Sequence, residues 1–327
     1  MAPGNGPPRL GVEVVPLAGG YSGETFLVST GGDQAVLRLY VRQPERAAID
    51  LALLERLHGL VPVPAVLDAV TVGAPDQPPF LLLEALPGDR GDLVLPAADA
   101  ALRRRIGAAV AGVLVLLGTV RFPRHGQFRD AQLDPVAFAG HTAGMAPFLA
   151  AHLDRPWFAG RPRDEIESLR AVATAADDLT EQVFGSDLGV PSGGRAGFGQ
   201  PVLVHSDFNP KNLLLDPATG GVTGVVDWEY AYAGSTLADL GNLLRFETDP
   251  EFAGAVVQTY RTFAPSLPDA WLDVARALDL TALIDLAARD QADGDNAVVR
   301  GARELLVRTA RTGELAAGRP DPEAGLN

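Results

Sequence analysis

The sequence contains no cysteine, which excludes disulfides, thiolate metal sites and cysteine nucleophiles. The cytoplasm is therefore the expected compartment, because nothing in the chain calls for an oxidising one. The five histidines form no H-E-x-x-H motif, so a zinc enzyme is not indicated. The longest apolar run, residues 106–120, is too short to span a bilayer comfortably, and residues 1–8 lack the features of a signal peptide. No membrane association is predicted.

The chain also lacks a basic surplus, since 27 Lys and Arg residues stand against 41 Asp and Glu residues and give a formal net charge of −14. A nucleic-acid surface needs a basic footprint, so no nucleic-acid partner is predicted. Attraction of a cationic small molecule fits this charge, and so does an acidic surface that serves only solubility. The length of 327 residues and the 47% hydrophobic content indicate a globular protein with two lobes or domains.

Residues 9–90 alternate in the manner of strands around a single helix. Strands are predicted over residues 12–17, 24–29, 35–40 and 79–85. A helix follows Pro44, and Asp50 falls on its apolar face, where a carboxylate needs a basic partner. From residue 93 onward the patterns are mainly helical. Helices are predicted over residues 97–120, 164–184 and 271–312. An α+β protein is predicted, with an N-terminal antiparallel sheet and one helix before a larger, mainly helical part.

One compact β region, residues 202–229, carries the candidate chemistry. Two apolar strands joined by a turn place His205, Asp207 and Asn212 before the first strand and Asp227 just after the second. Such a hairpin brings Asn212 and Asp227 to neighbouring ends. Phosphoryl transfer depends on positioning, on Mg²⁺ at the phosphate oxygens and on a carboxylate that orients the attacking hydroxyl. Because Mg²⁺ takes one or two carboxylates plus phosphates and water, this set fits phosphoryl transfer.

The pattern resembles the aminoglycoside phosphotransferase family, the small-molecule branch of the protein-kinase-like fold that also includes choline kinases. That family pairs an H-x-D-x4-N loop with a downstream D-x-E/D and a D-L helix, which here read Asp227-Trp228-Glu229 and LADLGNLL at residues 237–244. The resemblance implies a bilobal fold, with a nucleotide-binding lobe at residues 1–86 and a helical lobe at residues 87–327. The second lobe would hold the catalytic loop, the metal site and the acceptor site.

The resemblance also implies roles for residues of the loop. Asp207 would be the catalytic base, and Asn212 and Asp227 would be the Mg²⁺ ligands. His205 would brace the loop together with Asp239. Lys211 could supply positive charge at the γ-phosphate of ATP or GTP; a solvated loop lysine is the alternative.

The N-terminal part shows a looser resemblance. Residues 17–25, with Gly19, Gly20 and Ser22, resemble the hairpin that covers the phosphates in the family. Residues 81–88, with Glu84 and Leu86, resemble the interlobe hinge whose backbone receives the purine edge.

The third strand departs from the family, because it carries Arg38 where a kinase normally has lysine. The helix offers Asp50 as its acid, and Arg38 and Asp50 are predicted to pair next to the phosphates, since arginine can hold phosphate bidentately. Arginine and lysine are not equivalent at such a site. A nucleotide-binding module without turnover is therefore an alternative.

The sequence thus predicts an ATP- or GTP-dependent O-phosphotransferase acting on a small-molecule hydroxyl. A cationic amino-hydroxyl acceptor such as an aminoglycoside-like antibiotic is favoured, as in a resistance kinase. A metabolic kinase of the choline, homoserine or sugar type is the alternative. A protein kinase is disfavoured, since the helix at Asp239 begins too soon after Asp227 to leave room for a long activation loop. Candidate acceptor contacts are Glu229, Asp290 and Asp293.

Overall fold

A computed structural model describes residues 11–17, 24–138, 144–184, 200–264, 267–289, 296–317, 319 and 322–323. The first elements are β1 (Glu13–Leu17), β2 (Glu24–Thr30), β3 (Asp33–Leu39), α1 (Arg46–Leu57), β4 (Val66–Val70) and β5 (Phe80–Glu84). The five strands form one antiparallel sheet in the order β1-β2-β3-β5-β4. The four predicted strands and the predicted helix are present, and β4 is a strand that the sequence pattern did not reveal.

The rest of the described chain is mainly helical. Its elements are β6 (Asp89–Arg90), α2 (Gly91–Ala97), α3 (Ala100–Leu117), β7 (Gly126–Gln127), α4 (Met145–His152), α5 (Pro156–Ala159), α6 (Arg163–Phe184), β8 (Val202–Val204), β9 (Leu213–Leu215), β10 (Val222–Val225), β11 (Tyr232–Gly234), α7 (Thr236–Leu244), α8 (Pro250–Phe263), α9 (Trp271–Ala288) and α10 (Ala297–Thr312). The helical stretch predicted over residues 271–312 is divided between α9 and α10. The predicted α+β architecture is confirmed, and the lobe boundary at residue 86 stays a prediction.

Helix α1 buries the face that its spacing predicts, with Ala47, Asp50, Leu54 and Leu57 all enclosed. This face packs against β4 and β5, so the helix is held on the sheet by apolar contact. Asp50 lies within that apolar face and is 3% exposed. A carboxylate so deeply enclosed requires hydrogen-bond partners.

Two small sheets frame the candidate site. Strand β9 pairs with β10 on one side and with β6 on the other, and β11 lies between β7 and β8. The segment before β6 is attached to the β9–β10 hairpin, because the Thr223 hydroxyl donates a hydrogen bond to the Pro87 carbonyl at 2.5 Å. A Cβ at Gly224 would lie 2.8 Å from Cδ1 of Leu86, so a larger residue at this position would displace the Leu86 side chain.

The helices pack around two apolar cores. One core lies between α3, α7, α8 and the strands, and the other lies between α4, α6, α9 and α10. Helix α7 approaches α9 closely at Gly241, where a Cβ would lie 2.1 Å from the Ala275 carbonyl oxygen. Just past α7, Arg245 forms a buried two-bond ion pair with Asp279 of α9, at 2.8 and 2.5 Å. None of the described helices is long and apolar enough to cross a membrane.

Candidate active site

The loop between β8 and β9, residues 205–212, is fixed by one buried carboxylate at the start of α7. Asp239 Oδ2 accepts the backbone N–H of His205 and Oδ1 accepts that of Ser206, each at 2.7 Å. Ser206 has a φ of 72°, an uncommon conformation for a residue other than glycine. Burial raises the pKa of Asp239 to about 7, while the two N–H donors pull it down. The bracing contact that the resemblance implies for Asp239 is therefore present.

The His205 imidazole is fully buried and connects the loop to the segment after β10. Its Nε2 lies 3.0 Å from the Val226 carbonyl, which can only accept, so Nε2 carries the proton. Its Nδ1 then accepts the backbone N–H of Asp207 at 3.3 Å. Burial lowers the pKa of His205 to about 4, against a smaller opposite effect of the bond to Val226. A neutral, enclosed imidazole fits the predicted bracing role.

Asp207 is partly exposed, at 22% of its side chain, and both of its carboxylate oxygens are bonded by neighbours in the same loop. Oδ1 accepts from the Asn209 amide at 2.7 Å, and Oδ2 accepts from the Asn212 amide at 2.8 Å. The Lys211 ammonium lies 3.0 Å from Oδ2 and is half exposed. The carboxylate is thus held by hydrogen bonds and remains partly accessible to solvent.

Asn209 was missed by the sequence reasoning. Besides bonding Asp207, its side chain accepts the backbone N–H of Lys211 and caps the 3₁₀ turn at residues 210–212, which begins with Pro210. An asparagine directly before a proline at the first position of a helical turn is a capping signal, and it was available in the sequence.

The hairpin joins the backbone of Asn212 to that of Val226, the residue before Asp227. Asn212 directly precedes β9, Asp227 follows β10 by two residues, and the Val226 N–H donates to the Asn212 carbonyl at 3.0 Å. Asp227 has a φ of 69° and a side chain 23% exposed. Burial raises the pKa of its carboxyl group; Arg38 opposes this, and the nearby charges of Glu229 and Asp207 add to it. The three carboxylates therefore share one neighbourhood.

Arg38 bonds this acidic neighbourhood rather than the helix acid. Its Nη1 lies 3.2 Å from Asp227 and its Nη2 lies 3.0 Å from Glu229. Burial alone lowers the pKa of Arg38, but nearby negative charge, led by that of Asp50, outweighs it and raises the pKa above the usual value. Asp50 is therefore near Arg38, although the ion pair predicted between them is wrong.

Asp50 instead takes its partners from its own part of the chain. Arg46, one turn earlier on α1, donates from Nε to Asp50 Oδ1 at 2.8 Å, and the Tyr40 hydroxyl donates to Oδ2 at 2.8 Å. The i, i+4 spacing favours this pair over the longer reach to Arg38. Arg46 also donates from Nη2 to the Trp228 carbonyl at 2.6 Å. Sequence reasoning missed Arg46 as a functional candidate.

Of the remaining predicted contacts, the structure describes Glu229, Glu84 and Leu86. Glu229 is 5% exposed in its side chain and paired with Arg38, which favours a role in holding that arginine over direct contact with an acceptor. Glu84 is exposed at the end of β5 and accepts the Ala65 N–H at 3.3 Å, and Leu86 packs on the hairpin at Gly224. The other predicted contacts lie outside the described residues: Gly19, Gly20, Ser22, Asp290 and Asp293.

The donor set fits a magnesium ion that completes its shell with phosphates. Across the described residues, no cluster of three or more His, Cys, Asp or Glu side chains could enclose a metal. Asp227 offers a partly exposed carboxylate, and Asn212 offers an amide at the adjoining end of the hairpin. Because Mg²⁺ is usually held by one or two carboxylates together with substrate phosphates, this small set is sufficient.

Comparison with known proteins decides the family. A profile of the phosphotransferase enzyme family matches residues 13–271, which include the sheet, the catalytic-loop candidate and α7. The chain belongs to this phosphotransferase family. The phosphotransferase is 28% identical, over 253 residues, to aminoglycoside 3'-phosphotransferase of Streptomyces fradiae, a match that covers 74% of this chain and 84% of the relative.

Solved structures share the fold of the phosphotransferase. One is a thermostable mutant of aminoglycoside phosphotransferase APH(4)-Ia in ternary complex with AMP-PNP and hygromycin B, with a TM-score of 0.60, 19% identity, and coverage of 93% of this chain and 95% of the other. Another is a predicted fructosamine-3-kinase from Haemophilus somnus, with a TM-score of 0.58, 17% identity, and coverage of 92% of each chain. The protein-kinase-like fold is confirmed, and the phosphotransferase is a small-molecule kinase.

Proposed function

We propose that the protein transfers the γ-phosphate of ATP or GTP to a hydroxyl of a small molecule, with Asp207 as the base. The observation that carries this proposal is the fixed, partly exposed Asp207 carboxylate, bonded by Asn209 and Asn212. The acceptor oxygen forms a bond to the γ-phosphorus and gives its proton to Asp207, while the bond from phosphorus to the β–γ bridging oxygen breaks. The products are a phosphomonoester and a nucleoside diphosphate.

The positive charges of the site, from Mg²⁺, Lys211 and Arg38, are proposed to bind the phosphates of the nucleotide. In this proposal Asn212 and Asp227 hold Mg²⁺, which when bound neutralises phosphate charge. Lys211, 3.0 Å from Asp207, provides positive charge beside the transferred group. Arg38 offers a planar guanidinium suited to phosphate oxygens. The hinge backbone near Glu84 and Leu86 would take the purine, and Gly19, Gly20 and Ser22 would cover the phosphates.

The proposed acceptor is a hydroxylated molecule that carries a protonated amine. The net charge of −14 and the match to an aminoglycoside 3'-phosphotransferase support this class. The neighbour in complex with hygromycin B supports it through the fold. A second candidate is a metabolic amino sugar, favoured by the likeness to a predicted fructosamine-3-kinase. Both candidates share an amine beside a hydroxyl, so one screen tests them together.

The experiment is a nucleotide-consumption screen with ATP and GTP against aminoglycosides, amino sugars, choline and neutral sugars. Mass spectrometry of the product should show one added phosphate. Asp207→Asn should lower kcat by at least about 100-fold with nucleotide affinity retained, because the base contacts the acceptor and not the nucleotide. The matched control is Asp216→Asn, a turn residue of the same hairpin whose carboxylate accepts the Ala218 N–H at 2.8 Å. Wild-type turnover in Asp207→Asn would refute the assigned base.

A further inference from the structure

The backbone around Asp227 is held on both sides of the carboxylate. On one side the Val226 carbonyl accepts from His205 at 3.0 Å, and the Val226 N–H donates to Asn212 at 3.0 Å. On the other side the Trp228 carbonyl accepts from Arg46 at 2.6 Å. Asp227 itself has a φ of 69°, in the left-handed region, which costs energy for a residue other than glycine and persists only when its surroundings enforce it.

Arg46 is the contact that comes from outside this part of the chain. It lies in the first turn of α1, 182 residues from Trp228, and its guanidinium spans two partners: Nε bonds Asp50 and Nη2 bonds the Trp228 carbonyl. The side chains of Arg46 and Asp50 are only 9% and 4% exposed. The Tyr40 hydroxyl bonds the other oxygen of Asp50, so the guanidinium is fixed by α1 and by the end of β3 together.

Arg38 makes a parallel connection from β3 to the same loop, through its ion pairs with Asp227 and Glu229. The two arginines differ in what they bond. Arg38 bonds two carboxylates, one of which would also hold the metal, whereas Arg46 bonds a main-chain carbonyl next to Asp227. The bond of Arg46 therefore fixes the loop itself.

We propose that Arg46 is a positioning residue for Asp227: through the Trp228 carbonyl it sets the direction of the carboxylate that would hold Mg²⁺. In this proposal Asp50 acts through Arg46 and not through an ion pair with Arg38: Asp50 holds Arg46, and Arg46 holds the loop. This inference rests on the proposed role of Asp227 as a metal ligand. Any displacement of α1 changes the geometry of the metal site.

The test is the effect of Arg46→Lys on Mg²⁺-dependent nucleotide binding. Lysine keeps the positive charge beside Asp50, but its single ammonium lacks the fork that reaches Asp50 and the Trp228 carbonyl together. Nucleotide affinity is measured by calorimetry with Mg²⁺ and with chelator, without acceptor. Residues that orient metal ligands typically contribute about 10- to 100-fold in metal affinity. We expect the Mg²⁺-dependent gain in affinity to fall by at least about 10-fold, with affinity in chelator unchanged.

Arg245→Lys is the matched control. Arg245 and Asp279 form an ion pair with side-chain exposures of 8% and 4%, almost the same as those of Arg46 and Asp50, and it joins α7 to α9 without bonding the Trp228 carbonyl. Both substitutions should lower the melting temperature, and only Arg46→Lys should weaken the Mg²⁺ effect. Where Arg46→Lys does not fold, Asp50→Asn is used instead, because it keeps an oxygen acceptor for Arg46 and removes the charge that fixes it.

The outcomes separate this inference from the proposed function. If the wild type binds nucleotide in a Mg²⁺-dependent way and both Arg46→Lys and Asp50→Asn do so equally, the role of Arg46 is refuted. The proposed metal site is then untouched. Nucleotide binding by the wild type that is indifferent to Mg²⁺ overturns both the inference and the proposed metal site. Mg²⁺-dependent binding that weakens in Arg46→Lys supports the inference, even where no acceptor in the screen is phosphorylated and the proposed function fails.

Discussion

Acid should unfold this protein partly through His205, whose imidazole is fully enclosed and bonded as the neutral form. Protonation would place a charge in an apolar site and turn Nδ1 from acceptor to donor against the Asp207 N–H. The pKa falls from 6.5 for a free imidazole to about 4 in the folded chain, mainly through burial. Between these values the unfolded chain binds the extra proton, so the stability that neutral His205 contributes is complete above pH 6.5 and is lost toward pH 4. The loss is about 3 kcal/mol.

Urea unfolding at intervals from pH 7 to pH 4 measures this loss as a difference between the wild type and His205→Gln. Glutamine can donate to the Val226 carbonyl and does not titrate. The stability advantage of the wild type over His205→Gln should shrink by about 3 kcal/mol between pH 7 and pH 4. The control is His58→Gln, which makes the same substitution at an exposed position just past α1. A constant difference between the wild type and His205→Gln across this range would refute the neutral, buried imidazole.

Three further outcomes are expected. Gly241→Ala should destabilise the protein by about 2 kcal/mol or more, because its Cβ would lie 2.1 Å from a carbonyl oxygen of α9. Gly112→Ala in α3 has open space for its Cβ and should stabilise the protein by about 0.5–1 kcal/mol. Equal melting temperatures of the two variants would contradict this. In double-mutant cycles read in nucleotide affinity, Arg38→Ala should be non-additive with Glu229→Gln, because the two side chains form an ion pair at 3.0 Å; strict additivity would contradict the geometry. N-acetylation of a cationic acceptor should lower kcat/KM, and more so at low salt, because the attraction is screened beyond about 10 Å at ordinary ionic strength. An unchanged kcat/KM would leave the acidic surface to solubility alone.

Local sequence patterns were sufficient for the hairpin and for the loop before it. Apolar residues at 213–215 and 222–225 with a turn between them predict that Asn212 and Asp227 lie at neighbouring ends, and the Val226 N–H does bond the Asn212 carbonyl. The apolar face of α1 was equally predictable, because its apolar residues recur with the helical period. Features set by neighbours in sequence were therefore predictable, and so was the ion pair of Arg46 with Asp50 by its i, i+4 spacing, although that pair was not recognised.

Long-range pairing was the part that the sequence did not reveal. Arg38 lies 189 residues from Asp227, and nothing in the spacing of either segment shows that the guanidinium reaches across to that carboxylate instead of to α1. Strand β11 has three residues and pairs with β7 and β8, so its register depends on where distant segments lie. The same holds for Glu229, whose ion pair with Arg38 also joins distant segments.

Lys211 is the only lysine in the chain, and it stands 3.0 Å from the carboxylate proposed as the base. Its half-exposed ammonium makes the site the single place where amine-directed acylating reagents can modify a side chain; the chain's terminal amine is the remaining target. One acyl group there would remove a positive charge from the loop and occupy space beside Asp207. A reporter dye attached to Lys211 by ordinary amine chemistry would accordingly lie beside Asp207, without any engineered handle.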